Sequence, residues 1–462
     1  MADLVTDGRR ARGRVDWRFI AYNLLLLLLS PLLLLGLLYR MVVRGKSREG
    51  LRERLGFVSP QAAEFGQHRD PVIWVQACSV GEVAAVAPVI EAVRAREPLA
   101  HVVLSTTTPT GRELAARRGL EVDAVTYFPF DLPFVVGKAL STVRPDMLVM
   151  VDTELWPNMM AVARSAGIRT AVINGRISDK AYPRDLVIRP ILSWTLGNID
   201  RVLAQSDKDA ARFRALGARE DRVEVLGNCK FDEDMPSVPP AEASRLRMEL
   251  GLPEGAPILV AGSTREGEEA KVLDAFVLAR QEHLDLQLVI APRHPQRGDE
   301  IEQLILERGY AVYRRSRAVR EGSAAEAVGP QVRIVLLDTI GELTKVYALA
   351  TVVFVGGSLV PWGGHNILQP LAQGKPTVVG PWMHNQQDLM EIALAEEAVS
   401  VVQGQEELGE LVARLIGSPQ EQELFAARGA AMLARHRGAS ERYADQIVAL
   451  LREGRDETDV PV

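Results

Sequence analysis

Short apolar runs alternate with longer segments of helical period along most of this chain. The first series of runs is VIWVQA at 72–77, HVVLST at 101–106, MLVMVD at 147–152, TAVING at 170–175 and RVLAQS at 201–206. Segments with the period of a helix lie between them, at 82–96, 110–118, 158–166 and 207–216. This alternation is typical of a parallel sheet covered by helices. It predicts one doubly wound α/β domain.

A second series follows an acidic, proline-rich stretch, DEDMPSVPP, which predicts an exposed linker. Its apolar runs are PILVAG at 257–262, LQLVIAP at 286–292, RIVLLD at 333–338, TVVFVGG at 351–357 and PTVVG at 376–380. The pattern therefore predicts an N-terminal anchor with basic flanks at 1–47, α/β domains at 48–232 and 241–452, a linker at 233–240 and a flexible tail at 453–462. Ligands bind beyond the carboxyl ends of such sheets, so we expect a cleft between the two domains.

The segment IAYNLLLLLLSPLLLLGLLY at 20–39 carries no charge and is long enough to cross a bilayer as a helix. A secretory signal peptide is the alternative, but its apolar region would be shorter and would end in small residues. Basic residues flank the segment on both sides, so they hardly decide its orientation. Pro31 leaves open a kinked helix or a shallow segment in one leaflet. We expect a retained membrane anchor.

Composition excludes several classes of protein. The 462 residues, 47% hydrophobic and 25% charged, fit a globular protein of two domains. A net charge of −6 argues against a nucleic-acid binder, which needs a basic face. The two cysteines, Cys78 and Cys229, favour a reducing cytoplasm, and no metal-ligand cluster of cysteine and histidine is visible.

Polar side chains follow several strands of the first domain. ACSVGEV at 77–83 puts Glu82 at the opening of a helix, where the alternative is a capping box closed with Ser79. DTELWPN at 152–158 joins two carboxylates and an indole at a helix start, or is a capped turn with Trp156 as packing. NGRIS at 174–178 and GNCKFD at 227–232 each add one cation, which singly is more often a surface charge.

The second domain offers candidate anion-binding turns. GSTREGEE at 262–269 is a strand-to-helix turn with free backbone donors, but it lacks the Gly-Lys-Ser/Thr ending of a Walker loop. APRHP at 291–295 and DTIGEL at 338–343 end other strands. A glycine-dense loop at 356–366 would let backbone N–H groups approach an anion closely, although a turn or packing role is the alternative.

Taken in order, the segments SVGE, TPTG, TELWPN, GNCKFD, STREGEE, PRHP, DTIGEL and GGSLVPWGGHN resemble the family of 3-deoxy-D-manno-oct-2-ulosonic acid (Kdo) transferases, from about residue 48 to residue 437. The resemblance implies two Rossmann-like domains in a glycosyltransferase B fold. It also implies CMP-Kdo as donor and a lipid A precursor, lipid IV(A), as acceptor. It further implies an N-terminal anchor in the inner membrane, with catalysis on the cytoplasmic side.

The resemblance also implies roles for individual residues. By motif, Glu82 is the proton acceptor, and Asp152 and Lys230 stabilise the transition state. Contacts to CMP are implied at Pro292, Arg293, Ile340, Gly341, Glu342, Asn366, Ile367, Leu368 and Gln369.

Three positions depart from the family. Glutamate is usual at Asp152 and at Gln369, and histidine is often found at Gln76. A glutamine amide offers one acceptor oxygen where a carboxylate offers two.

The expected reaction is inverting transfer, in which an acceptor hydroxyl attacks the anomeric carbon of Kdo as CMP leaves. Glu82 takes the proton, while Arg293, loop N–H groups and a helix N-terminus stabilise the departing phosphate. The helix start is expected to lower the pKa of Glu82, which a late proton transfer tolerates. CMP is a monophosphate and no aspartate-rich site appears, so no metal or other cofactor is expected. Two alternatives are a UDP-sugar transferase or epimerase of the same fold and a catalytically silent sugar-nucleotide binding protein.

Overall fold

The chain folds as two compact units in a computed structural model, which describes residues 16–42, 49–67, 70–116, 120–321 and 333–458. The first unit contains the described residues up to Glu233 and those from Arg437 onwards, and the second contains Asp234–His436. Most of the predicted basic flanks, at 1–15 and 43–48, and the end of the predicted tail, at 459–462, lie outside the described residues.

The first unit is built on a parallel seven-stranded sheet in the order β3-β2-β1-β4-β5-β6-β7. The strands are β1 Val72–Gln76, β2 His101–Thr106, β3 Ala124–Tyr127, β4 Met147–Val151, β5 Arg169–Gly175, β6 Arg201–Ala204 and β7 Val223–Val225. The helices are α1 Trp17–Val42, α2 Leu51–Arg54, α3 Pro60–Phe65, α4 Val80–Arg96, α5 Pro109–Ala115, α6 Pro133–Val143, α7 Pro157–Ser165, α8 Tyr182–Val187, α9 Arg189–Gly197 and α10 Asp207–Leu216.

Both faces of this sheet are buried, which explains why its central strands are apolar without interruption. Successive side chains of a strand point to opposite faces. In β1, Trp74 joins one core with Leu148, whereas Ile73 and Val75 join the other core with Val149. A strand covered on both sides therefore has no polar face along its length.

The second unit has its own parallel seven-stranded sheet, in the order β10-β11-β9-β8-β12-β13-β14. The strands are β8 Ile258–Thr264, β9 Gln287–Pro292, β10 Ala311–Arg314, β11 Arg333–Leu336, β12 Val352–Val355, β13 Thr377–Val379 and β14 Val399–Val401. The helices are α11 Pro240–Glu249, α12 Glu268–Ala279, α13 Gly298–Glu307, α14 Arg315–Glu321, α15 Leu343–Tyr347, α16 Leu368–Ala372, α17 Gln387–Ala395, α18 Gln405–Gly417 and α19 Pro419–His436. The prediction of two doubly wound α/β units is confirmed.

Each sheet reverses its strand order beside its first strand. The reversal lies between β1 and β4 in the first unit and between β8 and β12 in the second. Connections leave such neighbouring strands in opposite directions, which opens a crevice at their carboxyl ends, and ligands of open α/β sheets bind there. These two switch points are where the functional residues should be sought.

The last helix, α20 Ala439–Thr458, belongs to the first unit, although the sequence pattern assigned residues up to 452 to the second domain. Asp232 binds the start of α20, because the Asp232 carboxylate accepts hydrogen bonds from the amides of Gly438 at 2.6 Å and Ser440 at 2.7 Å. Tyr443 is buried and donates to the carbonyl of Gly227. An amphipathic period predicts a helix but does not identify the core that it covers.

The predicted apolar segment at 20–39 forms most of α1. Its first turns pack on the first unit: Tyr22 donates to the Asp131 carboxylate at 3.0 Å, and Asn23 exchanges hydrogen bonds with Asn158. Within the described ranges no helix combines the length and the apolar character that crossing a membrane requires. The prediction of a transmembrane helix is therefore not supported.

Candidate functional site

Glu82 lies at the switch point of the first unit, in the first turn of α4. Ser79 caps this helix, and its hydroxyl donates to one oxygen of the Glu82 carboxylate at 2.8 Å. The amide of Cys78 donates to the other oxygen at 2.7 Å. The capping contacts therefore fix the carboxylate in one orientation, which makes the capping interpretation and the catalytic interpretation compatible.

Burial raises the pKa of Glu82 to about 7, even though the hydrogen bonds from Cys78 and Ser79 lower it. The carboxylates of Asp152 and Glu154 raise it further. The expectation of a lowered pKa was wrong, because the loss of hydration outweighs the donors at the helix start. A carboxylate with a pKa near neutrality is well suited to take up a proton at physiological pH.

The second carboxylate-bearing turn follows β4, the strand that pairs with β1. Asp152 has a φ of +66°, in the left-handed region that few residues other than glycine adopt. Glu154 is half-buried and accepts hydrogen bonds from the Trp156 indole at 2.7 Å and the Gln76 amide at 3.4 Å. Burial raises the pKa of Glu154. The Trp156 side chain thus orients a carboxylate as well as packing.

Gln76 connects Glu154 to the interior of the sheet. Its amide oxygen accepts from the Ser105 hydroxyl at 2.6 Å, and Trp74 donates to the same hydroxyl oxygen at 2.8 Å. Gln76 is fully buried at the end of β1. An amide can accept from a hydroxyl and donate to a carboxylate at the same time. Gln76 therefore links the Glu154 carboxylate to Ser105 in the interior of the sheet.

Cys78, Glu82 and Glu154 come close enough to form a possible metal-binding group, with one ligand atom from each within 4.8 Å of the others. The sequence did not suggest this group, because residues 78 and 154 meet only through the pairing of β1 with β4. Burial raises the pKa of the Cys78 thiol to about 11. A metal ligand must be a thiolate, so this shift weakens the site for a cation. The expectation of no metal stays a prediction.

Lys230 lies in a short 3-10 turn, Cys229–Asp232, of the first unit. The side chain of Asn228 caps this turn by accepting from the Lys230 amide at 3.0 Å. Asn174 accepts from the Cys229 amide at 3.1 Å, so the structure brings the NGRIS and GNCKFD segments together. Lys230 is half-buried, and its charge lowers the pKa of Glu233, which burial raises. Stabilisation of the transition state by Lys230 remains a prediction.

The glycine-dense loop of the second unit does hold an anion, but the anion belongs to the protein. The buried carboxylate of Glu268 accepts from the amides of Gly357 at 2.6 Å and of Ser358 and Leu359 at 2.8 Å. It also accepts from the Arg265 amide at 2.9 Å. The expectation that these loop amides meet a ligand phosphate was therefore wrong for residues 357–359.

The loop needs glycine for a packing reason as well. A Cβ on Gly356 would lie 2.6 Å from the Cα of Thr264, so a larger residue would push β8 and β12 apart. At Gly357, where φ is +71°, a Cβ would lie 3.1 Å from the His365 ring. These glycines allow the turns after β8 and β12 to approach each other closely, which places Arg265 beside His365.

The residues assigned to CMP by motif lie along the carboxyl edge of the second sheet. Pro292 ends β9, and the amide of Arg293 donates to the Thr264 carbonyl at 3.0 Å while its side chain is exposed. Ile340 is 80% exposed and Gly341 is exposed beside it. The position of this turn leaves its backbone accessible to a ligand.

Glu342 is already engaged within the protein. Its carboxylate accepts from the Arg315 guanidinium at 2.8 Å and from the Thr339 hydroxyl. Burial alone would raise the pKa of Glu342, but the Arg315 and Thr339 hydrogen bonds outweigh it and the pKa is lowered. A contact from Glu342 to CMP would have to share the carboxylate with Arg315.

The third assigned segment, Asn366 to Gln369, leads into α16. Asn366 accepts from the Leu368 amide at 2.8 Å, and the side chains of Ile367 and Leu368 are buried. Gln369 is half-buried. Because two of these side chains face the core, the segment could offer a ligand the backbone at 367 and 368 and the side chains of Asn366 and Gln369.

The motif assignment did not include a cluster around Arg265. Its guanidinium contacts the His365 Nε2 atom at 3.2 Å and the His294 Nε2 atom at 2.8 Å, and it lies over the Trp362 indole at 4.9 Å from the ring centre. The sequence did contain a signal, since these four residues all stand in the polar segments after β8, β9 and β12.

Known proteins resemble most of the chain. A family model described as 3-deoxy-D-manno-octulosonic-acid transferase (kdotransferase) matches residues 49–233. A protein of Haemophilus influenzae named 3-deoxy-D-manno-octulosonic acid transferase is 29% identical over 93% of this chain and 97% of its own length. One of the same name from Bordetella pertussis is 32% identical over 81% of this chain and 86% of its own length.

Among solved structures, UDP-GlcNAc 2-epimerase from Neisseria meningitidis, bound to UDP-GlcNAc, is similar with a TM-score of 0.56. The similarity covers 83% of this chain and all of the epimerase, at 15% identity. At that identity the likeness shows the fold alone.

Proposed function

This chain belongs to the 3-deoxy-D-manno-octulosonic acid (Kdo) transferase family and is a glycosyltransferase; from that premise we propose that it moves Kdo from CMP-Kdo to a lipid A precursor by inverting transfer, with Glu82 as the general base. The observation that carries the proposal is the Glu82 carboxylate at the switch point of the first unit, oriented by Ser79 and Cys78. Its raised pKa suits a base that works near neutral pH.

In the proposed reaction an acceptor hydroxyl attacks the anomeric carbon of Kdo, and Glu82 removes the hydroxyl proton. The bond from this carbon to the CMP phosphate oxygen breaks, and CMP leaves with the bonding electrons. Positive charge develops on the sugar as the bond breaks, so neighbouring carboxylates favour this state. Asp152 and Glu154 both act electrostatically on Glu82, which supports their place beside the reacting sugar.

The departing phosphate needs cations and donors in the second unit. We assign Arg293 to it, because its side chain is exposed at the end of β9 and a guanidinium can bind phosphate oxygens with two parallel hydrogen bonds. The turn at Ile340 and Gly341 and the segment from Asn366 to Gln369 are the proposed contacts to the rest of CMP. We propose that the reaction needs no metal, so chelation of divalent ions should leave turnover unchanged.

We also propose that α1 attaches the protein to the cytoplasmic face of the inner membrane, where the lipid acceptor resides. Its leucines are exposed to an unusual degree: Leu28 by 75%, Leu27 by 69% and Leu32 by 67%. Contiguous exposed apolar surface of this kind marks a membrane or protein contact. The polar contacts of Tyr22 and Asn23 tie the start of the helix to the first unit, which would keep that unit at the membrane surface.

The decisive experiment incubates the purified chain with CMP-Kdo and tetra-acylated lipid A precursor and weighs the product. Transfer of Kdo raises the mass of the acceptor by whole Kdo residues, and the count of residues follows from the same spectrum. CMP should compete with the donor and UDP should not. An acceptor of unchanged mass, with CMP bound, would instead identify a sugar-nucleotide binding protein.

A further inference from the structure

Arg265 is held in a fixed position at the switch point of the second unit. Its Nε donates to the His365 Nε2 atom, its Nη1 contacts the His294 Nε2 atom, and its plane lies over the Trp362 indole. Its backbone amide is bound by the buried Glu268 carboxylate. Three elements therefore orient one guanidinium, whose Nη2 edge makes no hydrogen bond within the described part of the unit. A guanidinium that is already oriented loses little conformational entropy when it binds a planar anion.

The guanidinium of Arg265 contacts two imidazoles and an indole, and none of these side chains carries a negative charge. Within the residues that the structure describes, no carboxylate lies in ion-pair distance of Arg265 or Arg293. Arg293 follows β9, which pairs with β8 so that Thr264 is opposite Pro292. Two arginines thus stand next to each other at the carboxyl edge of the sheet. Two unpaired cations at one edge predict a ligand with two neighbouring negative groups.

The pKa values support this view of the site. Burial and the neighbouring Arg293 lower the pKa of Arg265, while Glu268 raises it. Burial lowers the pKa of His365 to about 4, and Arg265, Arg293 and His294 lower it further. Burial, Arg265, Arg293 and Arg297 lower the pKa of His294. The two imidazoles are therefore neutral at physiological pH and can accept hydrogen bonds from Arg265.

We propose that Arg265, oriented by His294, His365 and Trp362, binds the carboxylate of the transferred ulosonic acid, while Arg293 binds the adjacent phosphate. This inference rests on the proposed function. In CMP-Kdo the carbon that bears the phosphate ester also bears the carboxylate, so the two anions are close neighbours. An aldose nucleotide lacks this carboxylate and would leave Arg265 unpaired. Arg265 is accordingly the residue that selects an acidic sugar.

Arg265 is assigned to the carboxylate, and Arg293 to the phosphate, for a geometric reason. Arg265 is fixed by side chains from two further segments and can only present one edge, which matches the planar geometry of a carboxylate. Arg293 is exposed, with no side-chain hydrogen bond among the described contacts, and can adapt to the tetrahedral phosphate. The amides of Gly357 and Ser358 donate to Glu268 and are therefore not available to the phosphate.

The test measures binding of CMP and of fresh CMP-Kdo, without acceptor, to the full chain and three variants. In Arg265→Gln the affinity for CMP should stay within about threefold, while CMP-Kdo should bind about ten- to hundredfold more weakly, as expected for the loss of one charge-assisted pair. Arg293→Gln should weaken both ligands. Arg245→Gln, which removes an exposed arginine from α11, should change neither. Arg265→Lys should recover only part of the CMP-Kdo affinity.

The possible outcomes distinguish a failure of the Arg265 assignment from a failure of the proposed function. Equal weakening of CMP and CMP-Kdo in Arg265→Gln would assign Arg265 to the phosphate or to the fold, and unchanged binding of both would remove it from the donor site. Either result overturns the proposal while the transferase assignment stands. A wild-type chain that binds neither ligand, or prefers UDP, would overturn the proposed function itself. Urea unfolding of each variant shows whether the second unit remains folded.

Discussion

The two units share a fold and a location for their polar residues, yet the two switch points have opposite charge. Between β1 and β4 the side chains are acidic, and burial raises the pKa values of Glu82 and Glu154. Between β8 and β12 they are basic, and burial lowers the pKa values of Arg265 and His365. The same crevice of a parallel sheet can therefore be suited to accept a proton or to bind an anion.

Each unit also holds a charged side chain whose sign is opposite to that of its switch-point cluster. In the second unit the Glu268 carboxylate accepts hydrogen bonds from four backbone amides, one of them that of Arg265, and does not engage the Arg265 guanidinium. In the first unit Arg54 donates to the Thr107 carbonyl and lies over the Tyr127 ring, and burial lowers its pKa. In both units this side chain contacts partners other than the functional side chains of the switch point. The functional groups at each switch point remain available for a substrate.

The largest expected effect comes from removing the proton acceptor of the acidic switch point. Glu82→Gln should keep the fold and CMP binding but lower the rate of transfer by about 10² to 10⁴, because the amide cannot take the proton. Steady-state kinetics with CMP-Kdo and detergent-dispersed acceptor measure the loss. Glu91→Gln, an exposed position on the same helix, is the matched control. Near-normal turnover in Glu82→Gln would remove Glu82 from the mechanism.

Glu268 tests whether the basic switch point depends on its internal anion. Glu268→Ala would leave several buried amides without an acceptor, at a cost of about 3–5 kcal/mol in the free energy of unfolding. Urea denaturation followed by circular dichroism measures this difference. The exposed neighbour Glu266→Ala should change stability by less than about 0.5 kcal/mol. Equal stabilities of the two variants would show that the loop does not rely on Glu268.

The opposite signs of the two switch points should appear in the pH dependence of stability. The pKa of Glu82 is raised to about 7, so the stabilising contribution of its neutral form is present below its ordinary pKa and lost as the pH rises through 7. The pKa of His365 is lowered to about 4, so its contribution is present above its ordinary pKa and lost as the pH falls towards 4. Each shift corresponds to up to about 3 kcal/mol.

Urea unfolding at pH 5 and pH 8 separates these contributions. Relative to the wild type, Glu82→Gln should gain stability on going from pH 5 to pH 8, and His365→Asn should gain stability on going from pH 8 to pH 5. If the stability of both variants, relative to the wild type, changed in the same direction with pH, the predicted electrostatic contrast between the units would be contradicted.

In kinetics, the acid limb of kcat/KM should have its midpoint near pH 7, where Glu82 loses its proton.

Variants of Arg293 test whether the basic switch point of the second unit binds the phosphate of CMP. Arg293→Ala should weaken CMP binding about ten- to hundredfold, because it removes a charge-assisted pair to phosphate. Arg293→Lys should restore the affinity only in part, since an ammonium group cannot form the bidentate fork. Isothermal titration with CMP measures both variants. An unchanged dissociation constant in both would assign the phosphate to another group.

The last prediction concerns the exposed apolar surface of α1 in the first unit. Replacing Leu28 and Leu32 of α1 by serine should reduce sedimentation with vesicles of anionic phospholipid, since each buried leucine contributes about 1.5–3 kcal/mol. Transfer to acceptor in detergent should be unchanged, because these side chains point away from the unit. Leu246→Ser, a buried position of the second unit, would be a poor control, so the exposed Leu284→Ser serves instead. Equal vesicle binding of wild type and variant would contradict the attachment through α1.

The sequence by itself determined the central strands, because burial on both faces leaves a continuous apolar run such as MLVMV. It did not reveal β3, β7, β10 and β14, which are the four edge strands of the two sheets. An edge strand has a neighbouring strand on one side only, and in β7 two of the three residues are exposed. Its alternation is too short to distinguish from a loop.

The sequence also determined the family and the motifs, because these are local and ordered. Only the tertiary structure decided how the motifs combine. The pairing of β1 with β4 brings Glu154 to Glu82, and burial there sets the direction of the pKa shift. The close approach of β8 and β12 lets the amides of the glycine-dense loop donate to Glu268 and places His365 beside Arg265. Desolvation and hydrogen-bond partners arise from distant segments, so no local pattern could specify them.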